Sequence, residues 1–143
     1  MAGHTYTREA APRRKLAWVA TAWLIAIVAL SATASLSPHL VLQWTRHLPG
    51  RDKTGHFLLM GGFAGVSVLA FSGRRLAERR LSALAVMAGV ALVVVLEETV
   101  QLWLPNRTFS GVDLASSLSG VASFGAIAAF WRARGERGPS TGR

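Results

Sequence analysis

The sequence contains no cysteine and few acidic residues, and its apolar stretches lack a polar face. Without cysteine, disulfide bonds, thiol nucleophiles and cysteine-ligated metals are excluded. Seven acidic residues stand against sixteen lysines and arginines, which gives a formal net charge of +9. A soluble four-helix bundle carries a polar face along each helix. Because these apolar stretches show almost none, a soluble bundle is excluded as well.

What the sequence does have is a set of four long apolar blocks, at residues 16–36, 54–73, 81–96 and 114–131. A helix needs about 20 residues to cross a hydrocarbon core of about 30 Å. The first two blocks reach that length, and the fourth is just long enough. The third reaches it if its helix continues through "EETVQLWL" to residue 104. We therefore predict one all-α domain of four transmembrane helices over residues 16–131, between a basic tail (1–15) and a polar tail (132–143).

Basic residues flank alternate ends of these blocks. Twelve lie on one side of the predicted membrane: Arg8, Arg13, Arg14, Lys15, Arg74, Arg75, Arg79, Arg80, Arg132, Arg134, Arg137 and Arg143. Four lie on the other side: Arg46, Arg51, Lys53 and Arg107. Cytoplasmic loops carry an excess of this kind, so we predict that both termini are cytoplasmic. This placement favours membrane topology and attraction to anionic lipid over nucleic-acid binding.

The N-terminal segment also fits a second description. "RRK", an apolar run and "SATAS" resemble a secretory signal peptide, with Ala32 and Ala34 as a small-residue cleavage site. The apolar run is long for a cleaved signal, which favours a first helix that stays in the protein.

Two pairs of small residues four positions apart predict helix packing. They are Gly61 with Gly65 in the second block and Ser119 with Ser123 in the fourth. Small residues at this spacing let two membrane helices approach closely.

Polar residues concentrate at the predicted outer ends of the second, third and fourth helices. The set comprises Asp52, Lys53, His56, Glu97, Glu98, Gln101, Arg107 and Asp113. Residues four apart share a helix face, as Asp52 and His56 do. The sixteen residues of the third block span about 24 Å, so the two glutamates lie inside the membrane boundary. Because an isolated charge there is costly, we predict that these side chains pair with one another.

Simpler roles exist for several of these residues. Asp52 and Asp113 stand where helices begin, and an aspartate there can serve as a cap. Lys53 and Arg107 can reach lipid head groups from an interface. His39 and His47 are expected to be loop residues. Capping does not account for His56, Glu98 and Gln101 together, and ionisable groups within a membrane favour a functional site.

These polar residues resemble two motifs of the VanZ-like membrane proteins. "DKTGHFLLM" is similar to the family's D-K-x-x-H motif, and "EETVQLWLPNRTFSGVDLASSLSG" is similar to its E-x-x-Q … R … D-x-x-x-N-x-x-G segment. The resemblance covers residues 52–120, about half of the chain. It aligns Asp52, Lys53, His56, Glu98, Gln101, Arg107, Asp113 and Gly120 with the family's polar and glycine positions. The chain departs from the pattern at Met60, where tyrosine is frequent, and at Ser117, where asparagine is usual.

The resemblance implies a multi-pass protein of the bacterial cytoplasmic membrane that acts at the cell envelope. The family takes its name from a protein linked to low-level teicoplanin resistance, and the resemblance does not supply a reaction. If the family's tyrosine or asparagine is essential to its chemistry, Met60 and Ser117 mark a diverged member.

Three functions remain open at this point. The first is an enzyme acting on a lipid or lipid-linked substrate at the outer leaflet, with no cofactor. Its candidate catalytic residues are His56, Glu98 and Asp113, and its candidate substrate-binding residues are Asp52, Lys53, Gln101 and Arg107. Asp52 would orient His56, and a divalent cation held by Glu98, Asp113 and His56 is a variant of this hypothesis. The second function is a non-catalytic binder of amphiphiles such as lipoglycopeptide antibiotics, and the third is a small oligomeric transporter.

The neighbouring glutamates are expected to differ. They point about 100° apart on a helix, so both cannot face one site. The resemblance favours Glu98 as the inward residue, because its spacing to Gln101 matches the family's E-x-x-Q motif, which leaves Glu97 facing head groups or another helix. We predict that His56, Glu98, Gln101, Arg107 and Asp113 converge. The number of chains in the functional protein does not follow from the sequence.

Overall fold

The computed structural model describes residues 10–37, 39, 52–73, 75–76, 79–104 and 108–136. It contains four long helices, α1 (Ala10–Leu36), α2 (Asp52–Phe71), α3 (Ala83–Val100) and α4 (Gly111–Glu136). A 3-10 turn (Gln101–Trp103) follows α3, and two short strands, β1 (Arg75–Leu76) and β2 (Arg79–Arg80), join α2 to α3. Each long helix is apolar enough to cross a membrane. The predicted all-α class with four candidate membrane spans is therefore confirmed.

Several helix boundaries differ from those predicted. Helix α1 begins at Ala10, so residues 10–15 of the expected basic tail are helical. Helix α4 continues to Glu136, beyond the predicted end at residue 131. Lysine and arginine are good helix formers, and a helix can therefore extend past its apolar block into basic sequence. The regular part of α3 ends at Val100, before the expected residue 104.

Helix α2 is the central element of the bundle. It packs against each of the other three helices, and its contact with α4 is the most extensive. Met60, Phe63, Ala64 and Val68 of α2 are buried. Many large apolar side chains of α1 and α3 are exposed instead, among them Trp18, Ile25, Leu84 and Leu92.

Two glycines make the close contact between α2 and α4 possible. A Cβ placed on Gly61 would lie 2.7 Å from the Phe124 ring and 3.0 Å from the Gly120 carbonyl oxygen. A Cβ on Gly120 would collide with the Phe57 carbonyl oxygen. The two backbones therefore approach to a distance that only glycine allows.

The packing predicted for Gly61 and Gly65 is confirmed, because both lie against Phe124. The prediction for Ser119 and Ser123 is wrong, because both residues are exposed. Successive residues point about 100° apart around a helix, so Ser119 and Ser123, which precede Gly120 and Phe124, turn away from α2.

The helix directions define two ends of the bundle. Helices α2 and α4 run parallel, since Lys53 contacts Asp113 near both N-termini and Gly65 contacts Phe124 further along both helices. We call the end of the bundle where α2 and α4 begin and where α1 and α3 finish the acidic end. The opposite end, with the start of α1, the 73–81 connection and the end of α4, is the basic end.

Candidate functional site at the acidic end

Ser110 caps helix α4. Its hydroxyl accepts a hydrogen bond from the Asp113 backbone N–H at 3.3 Å, and its carbonyl accepts from the Leu114 N–H at 3.0 Å. Asp113 is therefore the third residue of the helix and not its cap, which corrects one of the simpler roles considered for it. The sequence "SGVD" carries the signal that was missed, because a serine followed three residues later by an acid is a capping pattern.

Glu98 completes this cap from a different helix. Its side chain is buried, with 2% of the residue exposed, and its Oε1 accepts from the Ser110 backbone N–H at 2.8 Å. In a capping box, the acid three residues after the cap accepts this bond. Here Glu98 of α3 takes that place, and the Asp113 carboxylate remains free to pair elsewhere.

Gln101 links the two neighbouring glutamates. It is buried, and its Nε2 donates to Glu97 Oε1 at 2.9 Å and to Glu98 Oε2 at a longer 3.5 Å. Glu97 also accepts from the Ser31 hydroxyl of α1 at 2.8 Å. Glu98 is thus the buried residue of the two, as predicted, and Glu97 contacts α1. Glu97 nevertheless also bonds Gln101, so the expectation that both glutamates cannot face one site is wrong.

Lys53 joins helices α2 and α4. Its Nζ lies 3.3 Å from Asp113 Oδ1 and 3.4 Å from Asp52 Oδ1. The side chain of Lys53 is 45% exposed, whereas that of Asp113 is 15% exposed. Asp52 was expected to orient His56, but the hydrogen bonds described for its carboxylate come from Lys53. Lys53 directly follows Asp52, so its backbone N–H and ammonium reach the Asp52 carboxylate more readily than His56 does from one helical turn away.

His56 is oriented by a serine of α4. A hydrogen bond of 3.2 Å joins His56 Nδ1 to the hydroxyl of Ser117, which is 1% exposed. The imidazole itself is half-buried. Among the residues that the structure describes, no hydrogen-bond partner is found for its Nε2. Ser117 therefore fixes the orientation of the ring through Nδ1.

The residues that were predicted to converge form two hydrogen-bonded groups. Glu98 and Gln101 connect through Ser110 to the start of α4, which carries Asp113. His56 bonds Ser117, one helical turn beyond Asp113 on the same face. Arg107 lies outside the described residues. Sequence reasoning missed Ser110 and Ser31 and gave Ser117 no partner.

The cation variant of the hypothesis finds no support in the geometry. No three histidine, aspartate or glutamate side chains in the described part of the chain lie close enough to hold a metal ion. Glu98 instead bonds a backbone N–H, and Asp113 pairs with Lys53. Both Glu98 oxygens and Asp113 Oδ1 therefore already have partners within the protein.

Comparison of the chain with models of known protein families finds no match, and the same holds for curated proteins and for solved structures.

Proposed function

We propose that this chain is a VanZ-like multi-pass protein of the bacterial cytoplasmic membrane, which binds and acts on the polar head of a lipid or lipid-linked envelope molecule. The observation that carries the proposal is the environment of His56. An imidazole fixed at Nδ1 by a buried serine, with no hydrogen-bond partner for Nε2 among the described residues, has the arrangement of a general acid or base. Ser117 would take the part of the family's usual asparagine.

The distribution of charge supports an outward position for this site. By chain order, the segments at the start of α1, between α2 and α3, and at the end of α4 carry twelve basic and three acidic residues in the sequence. The other two connections, with the helix ends beside them, carry four of each, so the net charge of +9 belongs to the first set of segments, which the positive-inside rule assigns to the cytoplasm. The acidic end would then face the outer leaflet.

The polar residues would divide between contact with substrate and positioning. Lys53 is exposed and, with Arg107, would hold an anionic head group beside His56. His56 would accept or donate the proton. Glu98 and Gln101 are buried, so they would act as positioning residues that fix the start of α4 and with it Asp113 and Ser117.

A non-catalytic binder is the second candidate. It is favoured by the burial of Glu98, Gln101 and Ser117, because this leaves few reactive groups accessible to a bound molecule. Under this proposal the same surface would hold an amphiphile such as a lipoglycopeptide, without bond cleavage. The difference between the two functions lies in turnover and not in the location of the site.

Identification of co-purified lipid by mass spectrometry, followed by a turnover screen, tests both candidates. The purified protein would be screened against lipid phosphates and lipid-linked envelope precursors, with product release as the measurement. We expect His56→Ala to reduce turnover strongly, whereas His39→Ala, which removes an exposed histidine, leaves it unchanged. General acid–base catalysis typically contributes a factor of about 10²–10⁴, which sets the expected loss.

The outcomes separate the candidates. Saturable binding without turnover assigns the non-catalytic function. Turnover that survives in His56→Ala contradicts the proposed catalytic role. Absence of both binding and turnover for every amphiphile tested removes the proposal of a site at this end.

A further inference from the structure

Three charged residues at the start of α2 and α4 form a group whose charges do not balance. The ammonium of Lys53 lies 3.3 Å from Asp113 Oδ1 and 3.4 Å from Asp52 Oδ1. A longer contact of 3.5 Å joins the same ammonium to Asp52 Oδ2. We call these three residues the ion triad. Because one ammonium pairs with two carboxylates, the ion triad has a net charge of −1 at neutral pH.

The carboxylates of the ion triad have room for a further donor. Among the described residues, Lys53 is the only side chain that donates to either carboxylate, and no partner is found for Asp113 Oδ2. The Asp113 side chain is 15% exposed, and that of Asp52 is 57% exposed. A carboxylate that is largely removed from water is stabilised by each donor that it gains. The ion triad therefore favours a ligand that brings a cation.

The ion triad adjoins the residues proposed to act on the substrate. Asp52 lies one helical turn before His56 on α2, and Asp113 lies one turn before Ser117 on α4. A hydrogen bond of 3.2 Å joins His56 to Ser117. A head group bound at the ion triad would therefore lie next to the imidazole.

We propose that the ion triad binds the head group of a zwitterionic phospholipid with a primary ammonium, as in phosphatidylethanolamine. The ammonium would donate to Asp113 and Asp52, and the phosphate would accept from Lys53. Each group of the ligand then meets a group of opposite charge in the protein. This inference rests on the function proposed for the acidic end and names the class of head group bound there.

Two other classes of head group fit the ion triad less well. The phosphate of phosphatidylglycerol would meet an ammonium that two carboxylates already share, and it would add a negative charge to a group that is already negative. The quaternary ammonium of phosphatidylcholine has no N–H, so it cannot donate to a carboxylate oxygen, whereas a primary ammonium has three donors.

The surroundings of the ion triad favour a lipid over a soluble amine. Both helices that carry it are apolar enough to cross a membrane. Val112, beside Asp113, is 57% exposed, and Leu58, further along α2 from Lys53, is 49% exposed. Exposed apolar side chains beside a polar site provide contact for acyl chains.

The preference of the wild-type protein among head groups is the first test. The full-length protein in detergent micelles is titrated with phosphatidylethanolamine, phosphatidylcholine and phosphatidylglycerol that have identical acyl chains. Bound lipid is measured by native mass spectrometry. We expect phosphatidylethanolamine to bind about fivefold more tightly than either of the others, which is the factor that one charged contact at a membrane surface supplies.

A pair of variants then assigns the preference to the ion triad. Asp113→Asn removes the unbalanced charge, so we expect phosphatidylethanolamine to bind about fivefold more weakly and phosphatidylglycerol to bind no more weakly than before. Glu97→Gln is the matched control. It removes a carboxylate from the same end, but one that bonds Ser31 and Gln101 and has no contact with the ion triad. We expect it to keep the preference.

The proposal is overturned if the wild-type protein binds phosphatidylcholine or phosphatidylglycerol as tightly as phosphatidylethanolamine, a result that does not depend on the folding of any variant. An equal loss of preference in Glu97→Gln would assign it to the overall charge of the acidic end. Equally tight binding of soluble phosphoethanolamine would exclude a lipid site.

The same measurements separate this inference from the function on which it rests. Turnover of another amphiphile that depends on His56, without a preference for phosphatidylethanolamine, would exclude this head group and retain the proposed function. A preference for phosphatidylethanolamine that Asp113→Asn abolishes, without turnover, would support the inference and assign the non-catalytic function.

Discussion

The charged side chains at the two ends of the bundle differ in their burial and in their partners. At the acidic end, charged and polar side chains bond to partners within the protein: Glu98 to the cap of α4, and Lys53 to Asp113. At the basic end, Arg14 and Lys15 are exposed, and Arg134 lies 4.4 Å over the Phe130 ring at the surface of α4. The acidic end thus contains the buried polar side chains of Glu98, Gln101 and Ser117, whereas Arg14, Lys15 and Arg134 at the basic end are exposed.

This difference separates two physical tasks. A buried polar group specifies structure, because the cost of leaving it unpaired excludes other helix arrangements. An exposed arginine contributes little to folding but interacts with lipid and sets orientation. Substitutions at the acidic end should therefore change stability, whereas those at the basic end should change the interaction with the membrane.

The largest effect is expected for Gly120→Ala, which tests whether the close approach of α2 and α4 assembles the acidic end. The added Cβ would collide with the Phe57 carbonyl oxygen and approach the Gly61 backbone nitrogen to 3.1 Å. Backbone atoms cannot rotate aside, so the helices must separate, at a cost of about 3 kcal/mol or more. The free energy of unfolding, measured by titration with sodium dodecyl sulfate in mixed micelles, checks this prediction.

Gly89→Ala is the matched control for this substitution. A Cβ on Gly89, in the exposed face of α3, meets nothing within 4 Å. Alanine is the better helix former by about 1 kcal/mol, so this variant should be as stable as the wild type or more stable. Similar destabilisation by both substitutions would contradict the role assigned to the α2–α4 contact.

The next effect in size is expected for Glu98→Ala, which removes the acceptor that Glu98 offers to the Ser110 N–H. A buried donor left without a partner costs about 1–3 kcal/mol, and we expect a loss of about 2 kcal/mol in the free energy of unfolding. Glu98→Gln keeps an oxygen at that place and should lose less than half as much. The measurement is the same titration.

Glu97→Ala provides the comparison within the same helix. Its donors belong to the side chains of Ser31 and Gln101, which can turn to other partners, whereas the Ser110 N–H is fixed in the backbone. We therefore expect a smaller loss for Glu97 than for Glu98. The reverse order would show that the α1–α3 contact, and not the cap of α4, holds the acidic end together.

The sequence alone predicted the four helices and the position of the polar residues along each helix. Membrane thickness fixes helix length, and the cost of burying charge fixes where polar residues lie along each helix. Both constraints act within one segment and can be read from composition. The helical repeat predicted that Glu97 and Glu98 point in different directions, whereas the choice of Glu98 as the inward residue came from the resemblance to the E-x-x-Q motif.

Contacts between helices could not be predicted in the same way. The bond from Ser31 to Glu97 spans 66 positions, and the bond between His56 and Ser117 spans 61. Such contacts depend on the rotation of each helix about its axis, which the uniformly apolar blocks do not specify. Ser119 was predicted to pack against another helix, but the neighbouring Gly120 contacts α2 instead. The rotation of α4 about its axis decides which of the two faces α2, and the sequence does not specify it.

The smallest effect is expected at the basic end, for Arg134→Gln. The substitution removes the guanidinium from the face of Phe130, a contact that contributes roughly 0.5–1 kcal/mol at an exposed site. We expect the free energy of unfolding to fall by about 0.5 kcal/mol in neutral detergent. Arg14→Gln, which removes an exposed charge near the start of α1, should change it by less. A loss as large as that of Glu98→Ala would mean that the arginines of the basic end support the fold as directly as the buried groups of the acidic end do, and the contrast between the two ends would fail.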